Sequence, residues 1–307
     1  MLSKNKFTRN VGVLDGGTAG AQLLTVLVSP LLTRLYSPAD FGMLAIYVSA
    51  LSLISVVATL RYELAIPLPS AHRDAAQIVV LSLGLVVFFA IASAFFVLLA
   101  REEMATMLGE PRLAVYLWLL PLSVFFIGVY NVFSYWAIRE KEFSRMAKTR
   151  LYQSIVGISV QLLGFKWGGA SLIISQAVSQ SIGGFSLGRS FFSKLRHWEI
   201  KWDQVKGAAV RYKEFPFYPT WEAFFNTAGA QLPPLLFGFL FSPVAAGLYS
   251  LANRVLSLPM TLIGNAVGQV FFSQAAEAHR NGQLGDVVVK LHEKLAHIGM
   301  PPAVLLI

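Results

Sequence analysis

Cysteine is absent from the 307-residue chain, which excludes disulfides, zinc–thiolate sites and a cysteine nucleophile within it. Charge is scarce: 13% of residues are Asp, Glu, Lys or Arg, while 55% are hydrophobic. A soluble domain carries about 25% charge, because its apolar core needs a polar shell. This chain has too little charge to make one. Acidic residues are fewer than basic ones, 16 against 25, which leaves a net charge of +9. The five histidines, His72, His197, His279, His292 and His297, show no HExxH spacing, so no metal site is expected. There is no glycine loop ending in Lys-Ser/Thr for ATP phosphates, and no Gly-x-Ser-x-Gly elbow. Asp40-Phe41-Gly42 spells a kinase triplet, but the other kinase elements are missing and it reads as coincidence. No cofactor is implied.

What the chain has is apolar length. Mean hydropathy is +0.60, and several runs reach the roughly 20 residues that cross a hydrocarbon layer about 30 Å thick. Eight spans are expected, over Val11–Leu32, Phe41–Leu60, Ala75–Ala100, Leu113–Ile138, Ala147–Phe165, Ala170–Leu187, Trp221–Phe241 and Ala245–Phe272. A ninth starts near Leu295 and is still apolar at Ile307. A helix cut off in lipid leaves carbonyls unpaired, so the sequence reads as truncated. The basic N-terminus leads into a full-length span without a small-residue cleavage site, which reads as a retained helix and not a signal peptide. The fold class expected is all-α, a polytopic membrane helical bundle.

Basic residues set the sidedness. With a cytoplasmic N-terminus, Arg34, Arg101, Arg112 and Lys166 fall outside and Arg254 falls within a span. Every other Lys and Arg then lies inside, as the positive-inside rule requires. The excess of base is topological, and no aromatic–basic module for nucleic acid is visible. An internal repeat accompanies it. Leu35-Tyr36-Ser37-Pro38 followed by Phe41-Gly42 returns as Leu240-Phe241-Ser242-Pro243 followed by Ala246-Gly247. Each copy places a Ser-Pro turn in a helical hairpin, where proline ends one helix and primes the next. Six helices per repeat give two parallel lobes: residues 1–189, a basic linker at 190–213, and the start of a second lobe at 214–307. That second lobe would need about three more helices.

These segments resemble a known family. Leu31–Pro69 (LLTRLYSPADFGMLAIYVSALSLISVVATLRYELAIPLP), Trp136–Gly164 and Glu214–Phe272 are similar to the bacterial polysaccharide-biosynthesis flippases. Those are the O-antigen and exopolysaccharide repeat-unit transporters of the multidrug/oligosaccharidyl-lipid/polysaccharide exporter superfamily. The resemblance covers most of the chain and is much weaker to the drug-exporting branch. It implies a twelve-to-fourteen-helix, two-lobed fold in the bacterial inner membrane that opens alternately to each side. The implied substrate is an undecaprenyl-diphosphate-linked oligosaccharide, turned from the cytoplasmic to the periplasmic leaflet. Membrane lipids are further partners, and a polysaccharide polymerase complex is compatible with this role. The departure is length, and a protein ending at Ile307 is not expected to transport.

A flippase must hide a sugar and an anionic diphosphate from hydrocarbon, so ionisable residues in or beside spans are the candidates. Arg254 lies within the eighth span beside Asn253; it reads either as a phosphate contact or as half of a structural pair. Arg61 and Glu63 border the inner end of the second span and read as a headgroup entrance or as topology charges at the interface. Asp15, one turn into the first span, is a candidate ion-coupling acid or a residue favoured by the helix dipole. Glu222 carries the same ambiguity. Pro233-Pro234 would bend the seventh span and suit a gate helix. Gly16, Gly17 and Gly20 make a small-residue packing face. Two other readings remain: a drug or cation antiporter of the same superfamily, and a polytopic glycosyltransferase or polymerase. The short outer loops disfavour the enzyme.

Overall fold

A computed structural model describes residues 4–195, 202–254, 256 and 257, with side chains described for 16–193, 202–254, 256 and 257. It divides into two compact units, Met1–Ala252 and Asn253–Ile307. Among the described residues there is no strand. The long helices of the first unit are α1 (Lys4–Leu35), α2 (Pro38–Val57), α3 (His72–Met107), α4 (Leu119–Arg139), α5 (Phe143–Leu163) and α6 (Gly169–Leu195). The short α7 (Trp202–Arg211) and α8 (Glu214–Phe217) lead to α9 (Pro219–Leu240), and α10 follows over 243–254. The apolar run expected near Leu295 lies outside the described residues.

Local chemistry explains some helix ends. Ser37 caps α2: its Oγ accepts from Asp40 N–H at 3.3 Å, and the Asp40 carboxylate accepts from Ser37 N–H at 3.0 Å. Pro38 at the first helical position completes this capping box. The sequence places the fourth span from Leu113, but α4 starts at Leu119. Pro111–Val115 instead forms a 3-10 turn, with the Glu110 carboxylate accepting from Arg112 N–H. α3 outruns its expected span at both ends and bends at Ala100, where φ is −132° and ψ is 20°. α6 continues past Leu187 to Leu195.

Gly16–Leu35, Pro38–Val57, His72–Met107 and Leu119–Arg139 are long and apolar enough to cross a membrane. The helices α5, α6 and α9 have 21, 27 and 22 residues, which is long enough at 1.5 Å per residue. Polar side chains lower the mean hydropathy of α5 and α6, and many of these pair between helices. Thr25 Oγ1 lies 3.1 Å from Ser154 Oγ, and Arg150 donates to Thr18, joining α1 to α5. Thr149 meets Ser186 at 2.8 Å, and Gln161 donates to Ser175 at 2.9 Å, joining α5 to α6. Such bonds between membrane helices contribute about 0.6 kcal/mol each. They cost little burial of unpaired polar groups. Gly17 lets α1 approach α5, because a Cβ there would lie 2.8 Å from Ala147 Cα.

Among the described residues, apolar cores sit toward both ends of the bundle. At the end that carries the basic loops, Trp136 and Phe191 stack edge to face at 5.1 Å, within a cluster of Ile66, Ile78, Val79 and Leu187. At the Ser-Pro end, Tyr47, Ile46, Leu113, Leu117 and Ile173 form another. Outward-facing α3 residues such as Phe88, Ile91, Phe95 and Leu99 are all more than half exposed, as a lipid-facing surface requires.

Candidate functional site

The basic end is built around a reversal of the chain after α2. Leu60 and Arg61 adopt left-handed backbone, φ 46° and 58°, which costs free energy for residues other than glycine. The reversal turns Glu63 inward. Its side chain is 2% exposed, against 30% for Arg61, and Arg61 Nη1 stands 3.7 Å from Glu63 Oε1. Glu63 Oε2 and Arg61 Nε are buried and make no hydrogen bond. Burial pushes the Glu63 carboxyl above its ordinary range, opposed by a hydrogen bond from Thr59 and by the Arg61 charge. Tyr135 of α4 lies within electrostatic reach of both. The arrangement can hold a proton on Glu63 or present Arg61 to an anion.

Neighbouring groups hold this reversal in place. Arg139, at the end of α4, donates to the carbonyls of Ile66, Pro67 and Ser70 at 3.4, 3.3 and 3.1 Å, and also to that of Pro69. Those carbonyls belong to a loop that no helix satisfies. His72 Nδ1 approaches Glu140 Oε1 at 3.0 Å, and Tyr62 donates to the Ala209 carbonyl at 3.1 Å. Gln204 of α7 accepts from Arg73 at 3.1 Å and Gln77 at 3.3 Å. This fixes α7 along α3, with Val205 and Ala208 buried and Trp202 and Val210 exposed. The role of Arg139 was hidden in the sequence, where it counts as one more basic residue of an inner loop.

At the opposite end the two Ser-Pro turns meet. Gly42 faces Pro243 so closely that a Cβ would collide with the Pro243 carbonyl and lie 3.2 Å from Gly247 N. Reciprocally, a Cβ on Gly247 would collide with the Pro38 carbonyl and lie 2.8 Å from Gly42 N. Ser242 Oγ accepts from Ala245 N–H at 3.2 Å, as Ser37 Oγ accepts from Asp40 N–H. Position for position, each copy contacts the other as it is contacted, which is the pattern of a local two-fold axis. Asp40 adds a bond of its own, its Oδ1 accepting from Gly169 N–H at 2.8 Å and tying the turn to α6.

The other candidates are placed as follows. α9 remains helical through Pro233 and Pro234, and Ser49 Oγ of α2 donates to Gln231 Oε1 at 2.9 Å just before them. Glu222 lies in the first turn of α9. Arg254 and Asn253 fall in the second compact unit, Arg254 half-buried and Asn253 exposed. Asp15 lies on α1, its side chain outside the described residues. Arg61 and Glu63 are therefore the candidate pair that the structure brings together. Among the described residues no group of three His, Asp or Glu could hold a metal ion.

The profile of a family described as "Polysaccharide biosynthesis protein" matches residues 31–307. The chain is 24% identical over 280 residues to the succinoglycan biosynthesis transport protein ExoT of Rhizobium meliloti (strain 1021), covering 86% of this chain and 53% of that protein. It thus spans about half the length of the curated relative it matches. No solved structure matches the chain significantly.

Proposed function

The chain belongs to the polysaccharide biosynthesis protein family, and from that premise we propose that it serves a transporter which turns an undecaprenyl-diphosphate-linked oligosaccharide from the cytoplasmic to the periplasmic leaflet. The observation that carries this reading is the reciprocal seating of the two Ser-Pro turns in a helical chain matched to the family over residues 31–307. Two like-facing sets of helices about a shared axis form a path that can open alternately to either side. The basic end is cytoplasmic, because lysine and arginine accumulate there. Residues 1–189 form the first lobe, 190–213 a cytoplasmic linker and 214–307 the beginning of the second lobe. Arg61 and Glu63 border the headgroup entrance, and Arg254 with Asn253 face the cavity, where a guanidinium stabilises diphosphate by charge-assisted bonds. Asp15 serves ion coupling, and Pro233 and Pro234 give α9 its hinge.

The decisive test deletes the full-length gene and follows repeat units across the inner membrane. Repeat units retained on the cytoplasmic face support the assignment. Normal periplasmic delivery in the deletion strain, with no second transporter present, overturns it. Drug resistance that follows expression would point to an antiporter instead. A tag inserted between Ser190 and Lys213 must be reached only from the cytoplasm; periplasmic access removes the proposed orientation.

A further inference from the structure

The flank of the first unit carries a groove of about 1390 Å³ between α3, α4 and α6, larger than the roughly 300–1,000 Å³ of a drug-sized site. Phe125, Phe126, Phe133, Phe185 and Phe192 line it, together with aliphatic Leu83, Val87 and Val129. Phe185 and Phe192 are 75% and 53% exposed, so the groove opens outward onto the same surroundings as the apolar face of α3. Among the described residues its one charged lining residue is Arg189, near the end of α6 at the basic end. Arg189 is exposed and has no ion pair or hydrogen bond from its side chain among the described residues. The nearby carboxylate of Glu142 is already engaged, by Arg145 at 3.2 Å and by Ser190 Oγ. Among the described residues, then, an unpaired guanidinium stands at one end of an aromatic trough.

We propose that this groove holds a resident anionic phospholipid, its phosphate on Arg189 and an acyl chain along the phenylalanine floor. Charge complementarity selects the headgroup, because a guanidinium matches phosphate oxygens with paired N–H donors. Depth agrees with it. Arg189 lies within a turn of Phe191, which packs on Trp136 near the end of α4, a level where arginine reaches the lipid headgroups. The apolar walls would otherwise face open space, which a lipid chain fills with dispersion contact. None of the described lining residues comes from α1, α2, α9 or α10, so the occupant sits apart from the meeting point of the Ser-Pro turns. That position suits a structural lipid bridging α3 and α6 better than a cargo in transit. The inference needs only that the chain resides in a membrane.

The test uses the full-length protein, purified in mild detergent. Native mass spectrometry of the wild type is expected to retain a phosphatidylglycerol adduct. Added dioleoylphosphatidylglycerol should raise its apparent melting temperature more than dioleoylphosphatidylcholine does. Arg189→Gln, a change at an exposed side chain, should weaken phosphatidylglycerol binding about tenfold, the loss expected for a charge-assisted contact. Val87→Trp, which fills the trough and leaves the charge, should abolish the retained adduct. An equal response of the wild type and both variants overturns the proposal. A retained polyprenyl diphosphate in place of phospholipid overturns it as well, by showing that the groove holds the carrier. Loss of transport on gene deletion is a separate readout, so this inference can fail while the proposed function stands.

Discussion

Glu63 and Arg61 stand 3.7 Å apart, with one carboxyl oxygen and one guanidinium nitrogen left without hydrogen bonds. Desolvation raises the folded-state pKa of Glu63 above 4.5. The folded state thus holds its proton where the unfolded chain has released it. Stability falls as pH rises from the ordinary carboxyl value through the folded one, then stays reduced. Glu63→Gln removes that penalty. Its apparent melting temperature in detergent should exceed the wild type at about pH 8, and the margin should close toward about pH 4. A margin unchanged with pH would exclude a raised carboxyl pKa. Arg139 makes the opposite case, since its donors serve four carbonyls of one loop. Arg139→Ala should cost about 1.5–3 kcal/mol, the range for bonds to a charged group. Hydrogen exchange in residues 66–72 should rise, and Arg139→Lys should recover only part, since an ammonium lacks the planar fork.

Among the elements, α5 shows how a helix with a polar sequence finds its place. Arg150, Ser154, Thr149 and Gln161 are directed at hydroxyls of α1 and α6, so its polar content serves neighbours and not water. The crossing with α1 depends on Gly17, where a side chain would strike Ala147. These 307 residues hold no cysteine, so a designed pair can report this crossing directly. A Thr25→Cys/Ser154→Cys pair, replacing oxygens 3.1 Å apart, should cross-link readily, and adding Gly17→Leu should abolish the cross-link. Cross-linking that survives Gly17→Leu would mean the helices meet without that close approach. α9 carries Pro233 and Pro234 next to the Ser49–Gln231 bond, so a hydrogen bond to α2 and the missing backbone donors fall within one turn. A bend at this point is what the proposed hinge role of Pro233 and Pro234 requires.

For the whole molecule, the decisive contact is the reciprocal one between the Ser-Pro turns. Backbone meets backbone there, and neither glycine can gain a side chain without moving the partner turn. Gly42→Leu should therefore separate the two turns while leaving each hairpin capped by its own serine. Ala246 is fully buried, so Ala246→Cys should resist a membrane-impermeant maleimide and become reactive once Gly42→Leu is added. Equal, low reactivity in both backgrounds would show that the turns stay closed. The amount of protein in the membrane, measured in parallel, separates opening from misfolding.

Hydropathy and caps act over a few residues, and so most of the long helices among the described residues and the repeated Ser-Pro turns at Ser37 and Ser242 were legible in the chain alone. The family resemblance was legible too, because it rests on continuous segments such as Leu31–Pro69. Contacts between distant segments were not. The burial of Glu63 depends on a backbone reversal at Leu60 and Arg61, and the role of Arg139 depends on which loop the end of α4 reaches. Arg189 reads in sequence as one basic residue among many; only the packing of α3, α4 and α6 sets it at the end of an aromatic groove. A linear sequence states what each residue can do. Tertiary structure decides what it does, because desolvation and charge pairing depend on the neighbours that folding brings within a few ångströms.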